Sequence, residues 1–302
     1  MKILKQKQVL AVACHEIKGQ LSSFTYWTII LWPLLIAAIF ERSGNIHLDL
    51  STSNYLNLNL FWGNFLPIFI FMVSLSYVSI MANSVAADKT SKISEMLLAM
   101  VDAKEQLIGK ISATYCLMLL HMTIYTGLIY IYERVTHGFI VQTIIKNTSP
   151  VFFVYIVLDA AVALFMALVW VTEIASYVTD ESQVAVAVIP VMLLIGTGTM
   201  VAFLFNAPHY FDAGISVMRV YANVVLAFSP IGSLLMPTLL ANQNVSYVEA
   251  YLNIVIQLVI IAWLLKQSIR QYRFGLLSSK KANPFLSVLV HENTGNLKEN
   301  KR

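Results

Sequence analysis

Long apolar runs, separated by short polar segments, dominate the sequence. Six of them are close to the roughly 20 helical residues that are needed to cross a hydrocarbon core about 30 Å thick. They cover residues 24–40, 60–87, 111–132, 151–177, 184–205 and 247–265. The pattern therefore predicts an all-α, polytopic membrane protein with six transmembrane helices.

The segment before the first run is predicted to be an amphipathic helix. Apolar residues recur at helical spacing along one face, at Leu10, Ala13, Ile17, Leu21 and Phe24. Lys7 and Lys18 fall on the opposite face, where they would meet lipid headgroups. Such a helix is expected to lie in the inner membrane interface, either as a topology anchor or as a helix that moves with the spans.

Residues 207–246 are largely apolar but are interrupted by Pro208, Pro230 and Pro237. A seventh span here would place the basic C-terminal residues on the opposite side of the membrane. A re-entrant or surface-lying pair of short helices, over 214–227 and 231–240, fits better. Such backbone is tolerated at membrane depth only where protein buries it or water reaches it. This segment, with Pro230 and Pro237, is predicted to be an outer gate.

The composition also favours a membrane location. Of the 302 residues, 58% are apolar and 12% are charged, whereas a soluble domain carries about 25% charged residues. An ordinary soluble enzyme is thereby excluded, and so is a disordered chain, which has the opposite balance. Cys14 and Cys116 are the only cysteines, too few for a disulfide scaffold.

The basic residues predict the orientation. With six spans and an inside N-terminus, sixteen of the 20 Lys and Arg residues fall on inside segments and four on outside ones. This bias places both termini in the cytoplasm. Because the basic clusters flank apolar spans, no nucleic-acid partner is expected. Residues 1–278 are predicted to be one membrane domain, and residues 279–302 a flexible, basic cytoplasmic tail.

The longest cytoplasmic segment between spans is 88–110. An apolar i, i+3, i+4, i+7 stripe predicts a short helix across the membrane face, at Ile93, Met96, Leu97 and Met100. Lys92 and Glu95 lie off that stripe and would face the cytoplasm. Asp102 is predicted to cap the next helix, with Glu105 three residues later. A second, tight cytoplasmic turn at 179–183 carries Asp180, again in a cap-like position.

The run Asp88-Lys89-Thr90-Ser91-Lys92-Ile93-Ser94-Glu95-Met96-Leu97-Leu98, followed by Gln106-Leu107-Ile108-Gly109-Lys110, resembles the cytoplasmic signature of type-2 ABC exporter permeases. The resemblance is nearest to the sodium-efflux and multidrug subgroup. Weaker matches occur at 228–230, 234–237 and 270–276, so the resemblance covers residues 5–278. The loop at 41–59 is much shorter than the outer domain that many of those permeases carry there.

This resemblance implies the permease subunit of an ATP-driven exporter in a bacterial cell membrane. The sequence contains no G-x-x-x-x-G-K-[ST] motif, so a separate cytoplasmic ATPase subunit would bind ATP and Mg²⁺. Two permease subunits, identical or different, would form one transporter. Lys92, Glu95, Asp102 and Asp180 are the candidate contacts with the ATPase, and Glu95 is the best match to the acidic position of the signature.

One carboxylate, Asp159, lies inside a predicted span. It either belongs to a cation or substrate path, or is protonated or hydrogen-bonded at a helix interface. The six histidines are scattered, and no hydrolase or metalloprotease motif occurs. No catalytic, cofactor or metal site is therefore expected in this chain.

Two other functions remain open. An ion-coupled secondary transporter would show inverted repeats and several intramembrane charges. A non-transporting membrane immunity or scaffold protein is compatible with the same sequence. The substrate of an exporter also stays open among peptide, sodium, drug and lipid.

Overall fold

The computed structural model describes residues 2–42, 58–90, 101–136, 146, 148–178, 183–206 and 231–277. Within these ranges the chain is all-helical, with eight α-helices and no strand. They are α1 (Lys2–Leu21), α2 (Phe24–Arg42), α3 (Leu58–Thr90), α4 (Ala103–Thr136), α5 (Pro150–Ala175), α6 (Val184–Asn206), α7 (Gly232–Ala241) and α8 (Tyr247–Leu277).

Five of these helices, α3 to α6 and α8, are long and apolar enough to cross a membrane, judged by length and composition. They correspond to the second to sixth predicted runs. The first run is also helical, as α2, but the apolar stretch described there, Phe24–Leu35, is shorter. The all-α prediction is thus confirmed for the described residues.

Local sequence signals explain where the later helices begin and end. Pro150 opens α5, at the position where its missing N–H is not needed. Ser246 and Glu249 form a capping box at the start of α8, with Ser246 N donating to Glu249 Oε2 at 2.6 Å. Gln243 (φ 59°) closes α7 in the left-handed region, and the N–H of Asn244 reaches Leu239 O at 2.9 Å, as in a Schellman motif.

The bundle is organised around α5, which packs against α3, α8 and α6. Its buried face is continuous from Phe152 to Ala175. Many large apolar side chains remain exposed on the outside of the bundle, including Trp32, Ile129, Leu193, Val259 and Trp263. An apolar exterior around an apolar core is what lipid requires.

Tyrosine hydroxyls hold α2 against α4. Tyr125 donates to Ile30 O at 2.8 Å, and Tyr26 donates to Leu117 O at 3.3 Å. Tyr77 of α3 reaches the same region, where its hydroxyl lies 2.9 Å from Nδ1 of His121. His121 is therefore a packed, hydrogen-bonded core residue.

The short helix α7 is wholly buried and contacts α3, α5, α6 and α8. It approaches α3 closely because Gly63 has no side chain: a Cβ there would lie 2.7 Å from Ala241 Cβ and 2.9 Å from Pro237 O. Thr238 Oγ1 donates to Gly63 O at 2.6 Å. The predicted helix over 231–240 is confirmed, and Pro237 lies inside it. Pro230 and the predicted helix over 214–227 lie outside the described residues.

Candidate functional site

Charged side chains from α1, α3 and α4 converge where α1 packs against the first turns of α4. The site consists of Glu16, Ser84, Asp88, Lys110 and Tyr272, and is termed the inner junction. It lies on the side that the basic residues predict to be cytoplasmic. Asp88 and Lys110 are 22 positions apart in the sequence, and the fold brings their side chains into contact.

The close approach of α1 to α4 depends on Gly109. A Cβ at this position would lie 2.8 Å from Cβ and Cγ1 of Val12 and 3.0 Å from Val9 O. The face of α1 that meets α4 therefore includes Val9 and Val12. Leu10, which the sequence places on the apolar stripe, is exposed. Ala13 of the same stripe is buried, so the stripe packs against protein in part.

Lys110 is the centre of the inner junction. Its side chain is 8% exposed, and Nζ lies 2.8 Å from Asp88 Oδ2 and 3.0 Å from Glu16 Oε1. It also donates to the backbone oxygen and the hydroxyl of Ser84, at 2.8 and 2.9 Å. One ammonium group thereby joins α1, α3 and α4. A buried charge is tolerable only with such partners.

Tyr272 adds α8 to the same site. Its hydroxyl donates to Asp88 Oδ2 at 2.7 Å and lies 3.4 Å from Gln106 Oε1. Gln106 in turn donates through Nε2 to Val101 O at 2.9 Å, at the start of α4. Asp88 is therefore shared between a lysine of α4 and a tyrosine of α8.

A second ionic contact joins α1 to the start of α4. Lys5 Nζ lies 3.3 Å from Asp102 Oδ2 and 3.4 Å from Glu105 Oε1. Hydrogen bonding to Asp102, and then to Glu105, raises the pKa of Lys5. Asp102 directly precedes α4, as predicted for a cap, and its side chain is 71% exposed. An exposed pair of this kind contributes little to stability, so the contact serves mainly to position α1.

These contacts lie on either side of residues 91–100, here named the coupling segment after the role proposed for it. Asp88, just before it, is bound by Lys110 and Tyr272. Asp102, just after it, is bound by Lys5. Lys92 and Glu95 of the coupling segment, and Asp180 of the second turn, lie outside the described residues. Of the predicted ATPase contacts, the structure therefore places only Asp102.

Sequence reasoning included Asp88, Gly109 and Lys110 in a signature but missed Glu16 and Tyr272. A signal for Glu16 exists, because it is the only acidic residue before Glu41, in a helix otherwise rich in lysine. An isolated acid among lysines suggests a specific partner. Nothing in the sequence distinguishes Tyr272 from the other thirteen tyrosines.

Asp159 lies in a second polar region, deep between α5 and its neighbours. The side chains of Asp159 and Tyr155, one turn apart, are both 0% exposed. Because the two residues are four positions apart, their side chains lie on the same face of α5. Among the described residues, neither carboxylate oxygen has a hydrogen-bond partner, nor does the Tyr155 hydroxyl. Asp159 is thus enclosed within the subunit.

Within the described part of the chain, no group of three His, Cys, Asp or Glu residues is arranged to hold a metal ion. The inner junction itself has two carboxylates, but a lysine occupies the space between them. Its geometry suits mechanical attachment of helices rather than covalent chemistry.

Comparison with known protein families gives a match over most of the chain. The sequence model of the family described as "ABC-2 family transporter protein" matches residues 37–265, which is about three quarters of the chain. No protein of curated function matches significantly, and no solved structure does. The matched region begins after α1 and ends within α8, so it includes Asp88, Lys110 and Asp159.

Proposed function

The chain belongs to the ABC-2 transporter family of membrane proteins, and on this basis we propose that it is the permease subunit of an ATP-binding cassette exporter. Permeases of this family normally pair with a cytoplasmic ATPase subunit and generally lack an ATPase site of their own. In the proposed complex, the partner binds ATP with Mg²⁺ and hydrolyses it. Two permease subunits, identical or different, form the transporter in a bacterial cell membrane.

The observation that carries this proposal is the attachment to the bundle of the residues on either side of the coupling segment. When the ATPase subunits close on ATP, they displace residues 91–100. Because Asp88 is bound to Lys110 and Tyr272, the displacement acts on α3, α4 and α8 together. Glu16 and Lys5 carry it to α1, which then works as a moving elbow helix. Connected ion pairs, hydrogen bonds and helices of this kind can carry coupling between distant sites.

Six spans and an outer gate complete the proposed architecture, with α2 as the first span. A re-entrant α7 is supported by its contacts at two depths. Its last residue, Ala241, packs beside Gly63 near the beginning of α3, whereas Ile231 and Leu234 pack beside Gly198. Gly198 is eight residues before the end of α6, about 12 Å along the helix. We assign α7, with Pro230 and Pro237, to the outer gate.

Reporter fusions test the orientation. A fusion after residue 290 should be active only as a cytoplasmic reporter, and an insertion within 50–58 only as an external one, because of the distribution of Lys and Arg. Paired alkaline phosphatase and green fluorescent protein fusions measure both sites. External activity at residue 290 contradicts the proposed topology, whatever the result in the loop.

Glu95→Lys tests the contact with the ATPase. The variant should insert normally but lose the copurifying ATPase, or hydrolyse ATP without transport, because an unpaired or like charge in an interface costs about 2–5 kcal/mol. Copurification and the ratio of transport to hydrolysis in proteoliposomes are the measurements. Glu292→Lys, an equal charge change in the C-terminal tail, is the matched control and should behave as wild type. Wild-type coupling in Glu95→Lys excludes the proposed contact.

The same reconstitution separates the exporter from its alternatives. An ion-coupled secondary transporter moves substrate without ATP, and an immunity or scaffold protein moves none. Peptide, sodium, drug and lipid candidates are compared by their stimulation of hydrolysis. The substrate that stimulates the wild-type complex, and not the Glu95→Lys complex, is the transported one.

A further inference from the structure

The described core of the subunit contains a carboxyl group without a counter-charge beside it. Asp159 is completely buried, and its two oxygens have no hydrogen-bond partner among the described residues. An ionised carboxylate in such surroundings is very costly in a membrane protein. The free-energy cost of burying Asp159 is therefore tolerable only if a cation neutralises its charge.

No helix packed against α5 supplies a basic side chain for this purpose. Helices α6 and α7 contain no titratable residue. Between Glu249 and Lys266, the only titratable residue of α8 is Tyr251, whose ring centre lies 5.7 Å from that of Tyr155.

The remaining two neighbours, α3 and α4, also leave Asp159 without a counter-ion. Apart from Asp88 and Lys89 at its C-terminal end, the only titratable residue of α3 is Tyr77. Its hydroxyl lies beside His121 of α4. The other titratable groups along the middle of α4 are Tyr115, Cys116 and Tyr125. Both tyrosine hydroxyls donate to backbone oxygens elsewhere: Tyr115 to Ala161 O at 3.2 Å, and Tyr125 to Ile30 O.

Helix α8 does place polar but uncharged side chains close to the depth of Asp159. The Tyr155–Tyr251 contact and the hydrogen bond from Ser268 Oγ to Val169 O set α5 and α8 parallel. In that register, the buried amides of Asn253 and Gln257 lie within about one helical turn of the level of Asp159. Amides can stabilise a neutral carboxylic acid by hydrogen bonding, but they cannot neutralise a carboxylate.

We propose that Asp159 and Tyr155 form a proton-binding site inside the subunit. A hydronium ion from the aqueous phase supplies the proton: one of its O–H bonds breaks, an O–H bond forms on the carboxylate, and a water molecule is released. Occupancy by the proton allows α5 to pack against α8 without a buried charge. The site depends on the membrane location of the helices and not on the proposed export function.

Infrared difference spectroscopy tests the site on the purified, full-length subunit in lipid. The spectrum of wild type minus Asp159→Asn at neutral pH, in sodium-free buffer, should contain the carbonyl band of a protonated carboxylic acid. Asp102→Asn is the matched control: its exposed carboxyl should contribute only carboxylate bands. Tyr155→Phe should keep the acid band but shift its frequency, because the neighbouring hydroxyl is lost.

Each outcome decides the proposal. An acid band that persists after addition of sodium chloride supports a proton site. A band that disappears with sodium indicates a metal-cation site and overturns the proposal, as does the absence of a band. If Asp159→Asn fails to fold, side-chain ¹³C labelling of aspartate in the wild type replaces it, since a protonated Asp then shows a shifted acid band. An unchanged frequency in Tyr155→Phe excludes Tyr155 from the site.

Discussion

Replacing Lys110 by methionine is expected to reduce the free energy of unfolding by about 2–4 kcal/mol, because it leaves two partly buried carboxylates without their cation. Asp88 and Glu16 both lie within 3.0 Å of Lys110 Nζ, so the variant brings two negative charges together. Methionine keeps the length of the side chain and removes the charge and its hydrogen bonds. Thermal unfolding of the purified subunit in detergent measures the loss.

Lys104→Met is the control for this variant. Lys104 lies on the same helix, two turns earlier, and is exposed, so its replacement should change stability by no more than about 0.5 kcal/mol. Equal melting temperatures for the two variants would show that the inner junction does not stabilise the fold.

A triple variant separates charge balance from mechanical attachment. Glu16→Gln, Asp88→Asn and Lys110→Met together remove all three charges, and buried ion pairs replaced as a set often cost little stability. We expect the triple variant to recover most of the lost melting temperature. It should still show poor coupling between ATP hydrolysis and transport, because α1 and α8 no longer share a strong contact with α3 and α4.

The helices could be predicted from hydropathy because a bilayer leaves few alternatives for an apolar run of about 20 residues. Their inner ends did not follow from hydropathy. The cap at Asp102 predicts a helix that begins before the apolar run at 111–132, and the helix does begin at Ala103. No such signal predicts that the run at 247–265 continues to Leu277. Polar residues such as Lys110 and Arg270 end the apolar pattern, but helix formation continues because neighbouring helices or the interface satisfy those side chains.

Tertiary contacts were predicted less well. Periodicity identified an apolar stripe on α1 but not the face that meets α4, because Gly109 admits Val9 and Val12 while Leu10 stays exposed. Asp159 was recognised as an intramembrane carboxylate, yet its surroundings depend on the register between α5 and α8. That register arises from contacts between residues almost a hundred positions apart, which a single sequence does not display.

The second large effect is expected for Gly109→Ala. The added Cβ would lie 2.8 Å from Val12 and 3.0 Å from the backbone oxygen of Val9, closer than packed atoms allow. Because a backbone oxygen cannot move without the helix, α1 must shift away from α4. Overpacking of this kind costs about 1–3 kcal/mol, and the shift also separates Glu16 from Lys110.

Two measurements report this shift: the melting temperature, and the labelling of Lys110 by an amine-reactive reagent followed by mass spectrometry. In the wild type Lys110 is 8% exposed and should react slowly. In Gly109→Ala we expect faster labelling and a lower melting temperature.

Gly127→Ala is the matched control on the same helix, since nothing lies within 4 Å of a Cβ there. It should leave Lys110 protected and gain about 0.5–1 kcal/mol from helix propensity. If Lys110 is as protected in Gly109→Ala as in Gly127→Ala, the close packing of α1 on α4 is wrong. The proposed route by which the inner junction carries movement to α1 is then wrong as well.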